Sequence, residues 1–308
     1  MKRPIILLIL ILALFAFASI LLSGCRPASR QRTTSTATTT TAIAPTTSTT
    51  AKEEITLTLY FVKSRDGVMF LVPESRSIPK TKAVAKAAVE ELIKGPTQPG
   101  HISVIPRNTK VLSVKIKNGL ATVDFSKEVL NANVGSDGEE LGIAQVVDTL
   151  TEFPTISKVK FLVEGRDKGK IDGREIQDWW GHVGLSGQPF SRNESLIQGG
   201  VVRTNAITVD LPRAFTVASS PLTVKGKVTV FEARFNVRVL DKNNNVLADQ
   251  PITAQNFENG PFEETVSFSK PSIPGRGTVL FYFHSPIYFH SPKDGSEVTL
   301  ASVTVFFE

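Results

Sequence analysis

The tract from Thr33 to Thr50 sets the limit on what this chain can fold. Nearly every residue in it is Thr, Ser, Ala or Pro, as in TSTATTTTAIAPTTSTT. Such a run holds too little apolar surface to offset the entropy of ordering it, so it is expected to be disordered. Folding is then left to the part of the 308-residue chain from Glu53 onward. That part is too long for one small domain and suits two of ordinary size. With 41% hydrophobic and 21% charged residues, the chain as a whole has the material for buried cores.

Ahead of the tract, Lys2 and Arg3 precede an apolar run from Ile5 to Leu22 that only Ser19 interrupts. A basic start, an apolar stretch and then small residues is the order of an export signal. The run is also just long enough to cross a bilayer as an uncleaved helix. Leu22-Ser23-Gly24-Cys25 resembles the bacterial lipobox, in which cleavage before the cysteine leaves it as a lipid-bearing N-terminus. The resemblance implies a signal peptide over 1–24, acyl chains such as palmitate on Cys25, and a tether over 25–52. Several acyl chains anchor firmly where one binds marginally. The tether's mean span would be about 30 Å, enough to hold the folded part clear of the outer face of the cytoplasmic membrane.

Six basic residues, Lys2, Arg3, Arg26, Arg30, Arg32 and Lys52, precede the first acidic one and account for the whole net charge of +6. The folded part is formally neutral, which argues against nucleic acid as a partner, since phosphate binding needs positive charge on the folded surface. Cys25 is the only cysteine, so neither a disulfide framework nor a thiolate metal cluster is available. Four histidines leave little for a metal site, and none is expected.

Ile55 to Val62 alternates as a half-buried strand, Arg65-Asp66-Gly67 reads as a turn, and Phe70 to Ile78 reads as a second strand. Val84, Ala85, Ala88, Val89 and Leu92 recur at helical spacing within Thr81 to Ile93, which Gly95-Pro96 ends. Val111 to Ile116 and Leu120 to Phe125 flank Asn118-Gly119, a strong hairpin signal. A second helix is expected from Ser136, where Ser136 and Glu139 have capping-box spacing. Leu141, Ala144, Val147 and Leu150 give it an apolar stripe, and Pro154 closes it. Val159 to Val163 is a further strand. This order indicates an α+β domain over 53–180, a small sheet with helices on one face.

Leu59-Tyr60-Phe61, the helix end Leu92-Ile93-Lys94-Gly95-Pro96, Ile105-Pro106, the run Gly119 to Ser126, and Pro154-Thr155 followed by Val159 resemble the GerMN domain of bacterial sporulation and spore-germination proteins. The resemblance covers roughly Glu54 to Asp172. It implies a place in the cell envelope, and similar domains are linked to ring-like envelope assemblies.

The polar stretch over 181–204 is expected to connect this domain to the next. Trp179 and Trp180 just before it are a candidate sugar-stacking pair. Adjacent residues on a strand point to opposite faces, so one ring is expected in the core.

Residues 205–308 change character. Ile207–Leu211, Leu222–Val228, Phe231–Leu240, Val246–Ala254, Phe262–Phe268, Thr278–Phe283 and Val298–Phe307 are seven short strand candidates separated by turns such as Asp241-Lys242-Asn243-Asn244-Asn245. That is the pattern of an all-β immunoglobulin-like sandwich. Val224-Lys225-Gly226, Phe231-Glu232-Ala233, Gly260-Pro261-Phe262 and Asp294-Gly295-Ser296 resemble the immunoglobulin-like domain that accompanies GerMN domains in spore-germination proteins. Tyr282-Phe283-His284-Ser285-Pro286 recurs as Tyr288 to Pro292, an even insertion that preserves alternation and reads as a strand slip, a bulge or a loop extension. The repeat supplies His284 and His290, which weakens any metal reading of either.

No catalytic constellation is recognisable, and no cofactor is expected. Gly184-Leu185-Ser186-Gly187 approaches a nucleophile elbow, but Gln188 occupies the last position. Asp124 and Glu164, at strand ends, read as solvated or turn-capping, and Asn193-Glu194-Ser195 has glycosylation spacing. The expected function is that of a non-enzymatic binding or assembly module in sporulation or germination, its partners being envelope proteins or further copies of itself. The alternative is a wall protein that binds or processes peptidoglycan.

Overall fold

A computed structural model describes residues 53–284 and 296–308, which belong to one compact unit starting at Ala51. The expected signal peptide, Cys25, the expected tether and residues 285–295, with His290 and most of the second copy of the repeat, lie outside the described residues. Among the described residues, no helix is long and apolar enough to cross a membrane.

Alternation and turn chemistry set the first hairpin. β1 (Glu54–Arg65) and β2 (Val68–Pro79) pair antiparallel around Asp66 and Gly67, both at positive φ. α1 (Val84–Lys94) stops at Gly95, whose φ of 94° is open to glycine and whose N–H returns to the Leu92 carbonyl. The two-residue β3 (His101–Ile102) pairs with β1. β4 (Val111–Lys117) and β5 (Leu120–Phe125) form the expected hairpin, with Asn118 and Gly119 at φ 50° and 79° as a type I′ turn requires. α2 (Ser136–Leu150) then carries the chain to β6 (Lys158–Val163), which lies parallel to β5. A ribbon of β7 (Lys170–Ile171) and β8 (Arg174–Glu175) follows.

The five longer strands and β3 do not make one sheet. They form two three-stranded sheets, β2-β1-β3 and β4-β5-β6. The break has a physical cause at Tyr60, where β3 has already ended. There α2 supplies the missing partners: Thr149 Oγ1 accepts the Tyr60 N–H at 3.1 Å, and Gln145 Nε2 donates to the Tyr60 carbonyl at 3.1 Å. Side chains thus satisfy a strand edge that would otherwise need another strand. α2 is buried almost all round, which suits a helix packed between two sheets.

From Val202 onward the longer elements are strands. They are β9 (Val202–Arg203), β10 (Ile207–Leu211), β11 (Leu222–Val228), β12 (Arg234–Leu240), β13 (Val246–Thr253), β14 (Gly260–Val266), β15 (Gly275–His284) and β16 (Glu297–Phe307). They form two four-stranded sheets, β14-β11-β10-β9 and β13-β12-β15-β16, around a shared core that includes Val209, Val224, Phe235, Phe281 and Val303. The described molecule is mostly β, with two α-helices and several sheets.

β2 joins the two parts. Its side chains alternate, and both faces are buried in the middle. Phe70 and Val72 enter the core of the later strands, whereas Leu71 packs with Tyr60, Val62, Leu141 and Ile197. The stretch after Trp180 is laid against the first part. Phe190 exchanges two 2.8 Å backbone bonds with Val159, and the Gln198 N–H reaches the Leu71 carbonyl at 2.8 Å.

Candidate functional site

A cleft of about 720 Å³ lies between residues 102–107 and 131–138. Val62 and Met69 of the first hairpin also line it. The 102–107 wall is fixed by the Val104 N–H, which donates to Gln145 Oε1 at 3.0 Å. Ile102 and Met69 are exposed at 52% and 37%, so the cleft keeps apolar surface in water. Asn131, Asn133, Arg107 and Asp137 add polar groups. Ser103 and Ser136 are its hydroxyls. Ser103 donates to the Leu92 carbonyl and Ser136 to Asp137, so neither is held against an imidazole. This arrangement can receive a ligand of mixed polarity and carries no nucleophile–base pair.

The cleft's helix end departs from the capping-box expectation. Gly135 is the N-cap and no side chain caps it, so Ser136 is already the first helical residue. Glu139 does not turn back to the helix start. Its fully buried carboxylate accepts the His182 and Val183 N–H groups at 2.8 Å each and meets His182 Nδ1 at 2.6 Å. Burial works against its ionisation, but these hydrogen bonds outweigh it and hold the carboxyl below its usual range. Glu74 repeats the pattern. Buried beside Arg76, it accepts the Thr97 and Gln98 N–H groups and meets His101 Nδ1 at 2.7 Å, and its carboxyl too is net lowered despite burial.

A third group sits under α2. Arg192 Nη2 donates to the Tyr60 hydroxyl at 2.6 Å, its Nη1 donates to the Asp148 carbonyl at 2.9 Å, and the guanidinium lies 2.9 Å from Glu152. The Tyr60 hydroxyl donates to Glu152 at 2.7 Å, and burial together with that bond pushes its pKa up to about 12. Asp148 is wholly buried. Oδ1 accepts the Asn193 N–H at 3.3 Å, and Oδ2 has no hydrogen-bond partner. Burial pushes this carboxyl up to about 7, only partly opposed by Arg192.

The residues singled out from the sequence take these places. Trp179 is 4% exposed and packs between Phe125 and Phe161. Trp180 is half-buried, donates Nε1–H to the Val129 carbonyl at 2.6 Å and covers Gly142, where a Cβ would stand 2.3 Å from its ring. Trp179 is thus a core ring, as expected for one of the pair, and Trp180 keeps part of its surface exposed. Asp124 and Glu164 cap turns, accepting the Gly165 and Lys127 N–H groups at 2.9 and 3.0 Å. Leu185 of the Gly184-Leu185-Ser186-Gly187 stretch is buried, its N–H bonded to the Gln177 carbonyl. Asn193 caps a 3₁₀ turn through Ser195. His284 packs edge-on against Tyr282. Among the described residues, no three His, Cys, Asp or Glu side chains converge as metal ligands.

The sequence reading missed the buried polar residues of α2. A signal for one was present: Asp148 follows Leu141 and Ala144 at helical spacing, on the stripe meant for the core.

Two sheet edges complete the surface. β4 ends its sheet, with Leu112 and Ile116 exposed at 42% and 47% and Lys115 and Lys117 exposed beside them. β14 ends another and exposes Glu263 and Glu264, the former bonded to Lys225 of β11.

Comparison with known proteins gives these folds a family. Residues 58–169 match the model described as sporulation and spore germination, and residues 206–296 match the immunoglobulin-like domain of bacterial spore germination. The spore germination protein GerM of Bacillus subtilis (strain 168) is 29% identical over 235 residues, 71% of this chain and 58% of that protein. The chain therefore spans less than two thirds of that relative's length. The solved tandem GerMN domains of GerM from Bacillus subtilis align with 70% of this chain and 62% of theirs, at 23% identity and a TM-score of 0.36. The first GerMN domain alone aligns over 40% of this chain and 95% of its own, at 30% identity and a TM-score of 0.32. The chain thus carries a GerMN-type domain of the sporulation and spore-germination family, followed by the immunoglobulin-like domain of bacterial spore germination.

Proposed function

We propose that this protein is an extracytoplasmic lipoprotein, anchored through Cys25 to the outer face of the cytoplasmic membrane, that works by binding and assembly in sporulation or germination rather than by catalysis. In this reading an α+β domain carries the assembly edge, and the two four-stranded sheets after it are the leaves of an immunoglobulin-like sandwich. The observation that carries it is the pair of charge-matched sheet edges on one chain. Lysines on an edge strand discourage indiscriminate pairing while leaving the edge open to an acidic strand. Lys115 and Lys117 on β4 and Glu263 and Glu264 on β14 fit a head-to-tail contact between copies, the kind of interface that closes rings or extends filaments.

Charge exchange tests the contact. Lys115→Glu with Lys117→Glu should abolish association, and mixing that variant with Glu263→Lys/Glu264→Lys should restore it. Failure of the mixture to associate counts against these edges. The non-catalytic part of the reading predicts no product when the protein is incubated with purified peptidoglycan. Release of soluble muropeptides would overturn it.

A further inference from the structure

Beneath the exposed side of α2 lies a second cavity, about 190 Å³, bounded by the helix and by residues 183–196. Ile143, Val147, Val183 and Phe190 give it apolar walls. Its charged lining residues are two carboxylates, Glu140 and Asp148, and no lysine or arginine lines it. Glu140 is exposed, whereas Asp148 is wholly buried and its Oδ2 has no hydrogen-bond partner. A buried carboxylate oxygen is normally paired, so this one stands out among the described residues, whose other buried carboxylates, Glu74, Glu139 and Asp241, are surrounded by donors. At about 30 Å³ for each water-sized group, the space suits a ligand of roughly six non-hydrogen atoms.

We propose that this cavity binds a small alkylammonium ion, with Asp148 holding the ammonium at the buried end, Glu140 adding attraction from the exposed end, and the aliphatic chain lying against Ile143, Val147, Val183 and Phe190. A turn of the carboxylate toward the cavity it lines gives Oδ2 a charge-assisted donor. Arg192 donates to the main-chain carbonyl of Asp148 rather than to its carboxylate, and is engaged by Tyr60 and Glu152. The charged and titratable groups around Asp148 are then Arg192 and Glu194 from the 191–196 segment, Tyr60 from β1, and Glu140 and Glu152 from α2 and its end. Because burial leaves this carboxyl partly protonated near neutrality, ammonium binding expels a proton and strengthens as pH rises.

The test uses residues 51–308, which form one compact unit, with n-butylamine hydrochloride as the probe and n-butanol as its neutral control. Methyl NMR should show saturable shifts of Ile143, Val147 and Val183 with the amine and none with the alcohol. Affinity should rise about tenfold between pH 6 and pH 8, following the ionised fraction of a carboxyl that titrates near neutrality. Asp148→Asn should cost about tenfold or more at pH 8 and flatten the pH dependence. Glu140→Gln, on the exposed face, should weaken binding several-fold and keeps the test open if the buried substitution impairs folding. Absence of saturable shifts, equal response to the alcohol, or unchanged binding by both variants would overturn the proposal.

Discussion

Phe70 of β2 stacks on Phe215 with ring centroids 4.6 Å apart and planes 10° apart. The first ring belongs to the opening hairpin, the second to the segment that runs along β16, where the Phe215 N–H donates to the Thr304 carbonyl at 2.7 Å. Phe306 lies 5.9 Å from the Phe70 ring, and Arg65 sits 4.3 Å over Phe306. The hairpin of the GerMN-type domain therefore completes the core of the strands that follow it.

Phe70→Ala should destabilise residues 53–308 by about 3–5 kcal/mol, the usual cost of emptying a buried aromatic site. The loss should be felt in both parts, so the parent protein should unfold in one cooperative transition by calorimetry. Two separate transitions in the parent, with the variant affecting only one, would contradict this coupling.

Asp148 gives a pH signature. Its carboxyl is raised to about 7 in the folded protein and titrates near 4 when unfolded. Between those values the folded state holds a proton that the unfolded state has lost, so this group makes stability fall as pH rises through that window. Above it the cost of the buried charge is fully present, at most roughly 4 kcal/mol. Asp148→Asn keeps the acceptor for Asn193 and removes the charge. It should raise the melting temperature most at pH 8 and by about a third as much at pH 5. Equal shifts at both values would show that the buried charge is not the cause.

Glu139 acts in the opposite direction. Its carboxyl lies below the usual range, so its stabilising contribution is present above the unfolded value and is lost as pH falls toward the folded one. Glu139→Gln should cost about 1–3 kcal/mol at pH 7 by weakening a buried acceptor. Amide exchange at His182 and Val183 should accelerate, whereas exchange in β15 should not change except through global unfolding. Unchanged protection at His182 and Val183 would refute the role given to this carboxylate.

Much of this fold was legible because its signals are local. The hairpin at Asn118-Gly119, the helix stop at Gly95 and the seven strand candidates after residue 205, of which Phe231–Leu240 opens with a 3₁₀ turn at Phe231–Ala233, rest on turn chemistry and period-2 alternation, which act within a few residues. The division of the first part into two sheets was not legible, since it depends on Gln145 and Thr149 reaching the Tyr60 backbone across 85 and 89 residues. For the same reason the Ser136–Glu139 spacing suggested a capping box. Burial against a distant loop redirected Glu139 to His182 and Val183. The Trp179-Trp180 pair showed the limit of reading exposure from residue type: only the packed structure reveals that Gly142 makes room for the second ring.

Anchoring has its own test. The wild-type protein should incorporate a labelled palmitate analogue and partition with membranes, and Cys25→Ser should lose both properties. Label retained by the variant would contradict attachment at Cys25.

Assembly through matched edges is the central claim, and the molar mass of residues 53–308, followed by light scattering across a range of concentrations, tests it most directly. The account predicts a mass that rises with concentration and falls back toward the monomer as salt screens Lys115 and Lys117 from Glu263 and Glu264. A strict monomer at every concentration and salt level would contradict it.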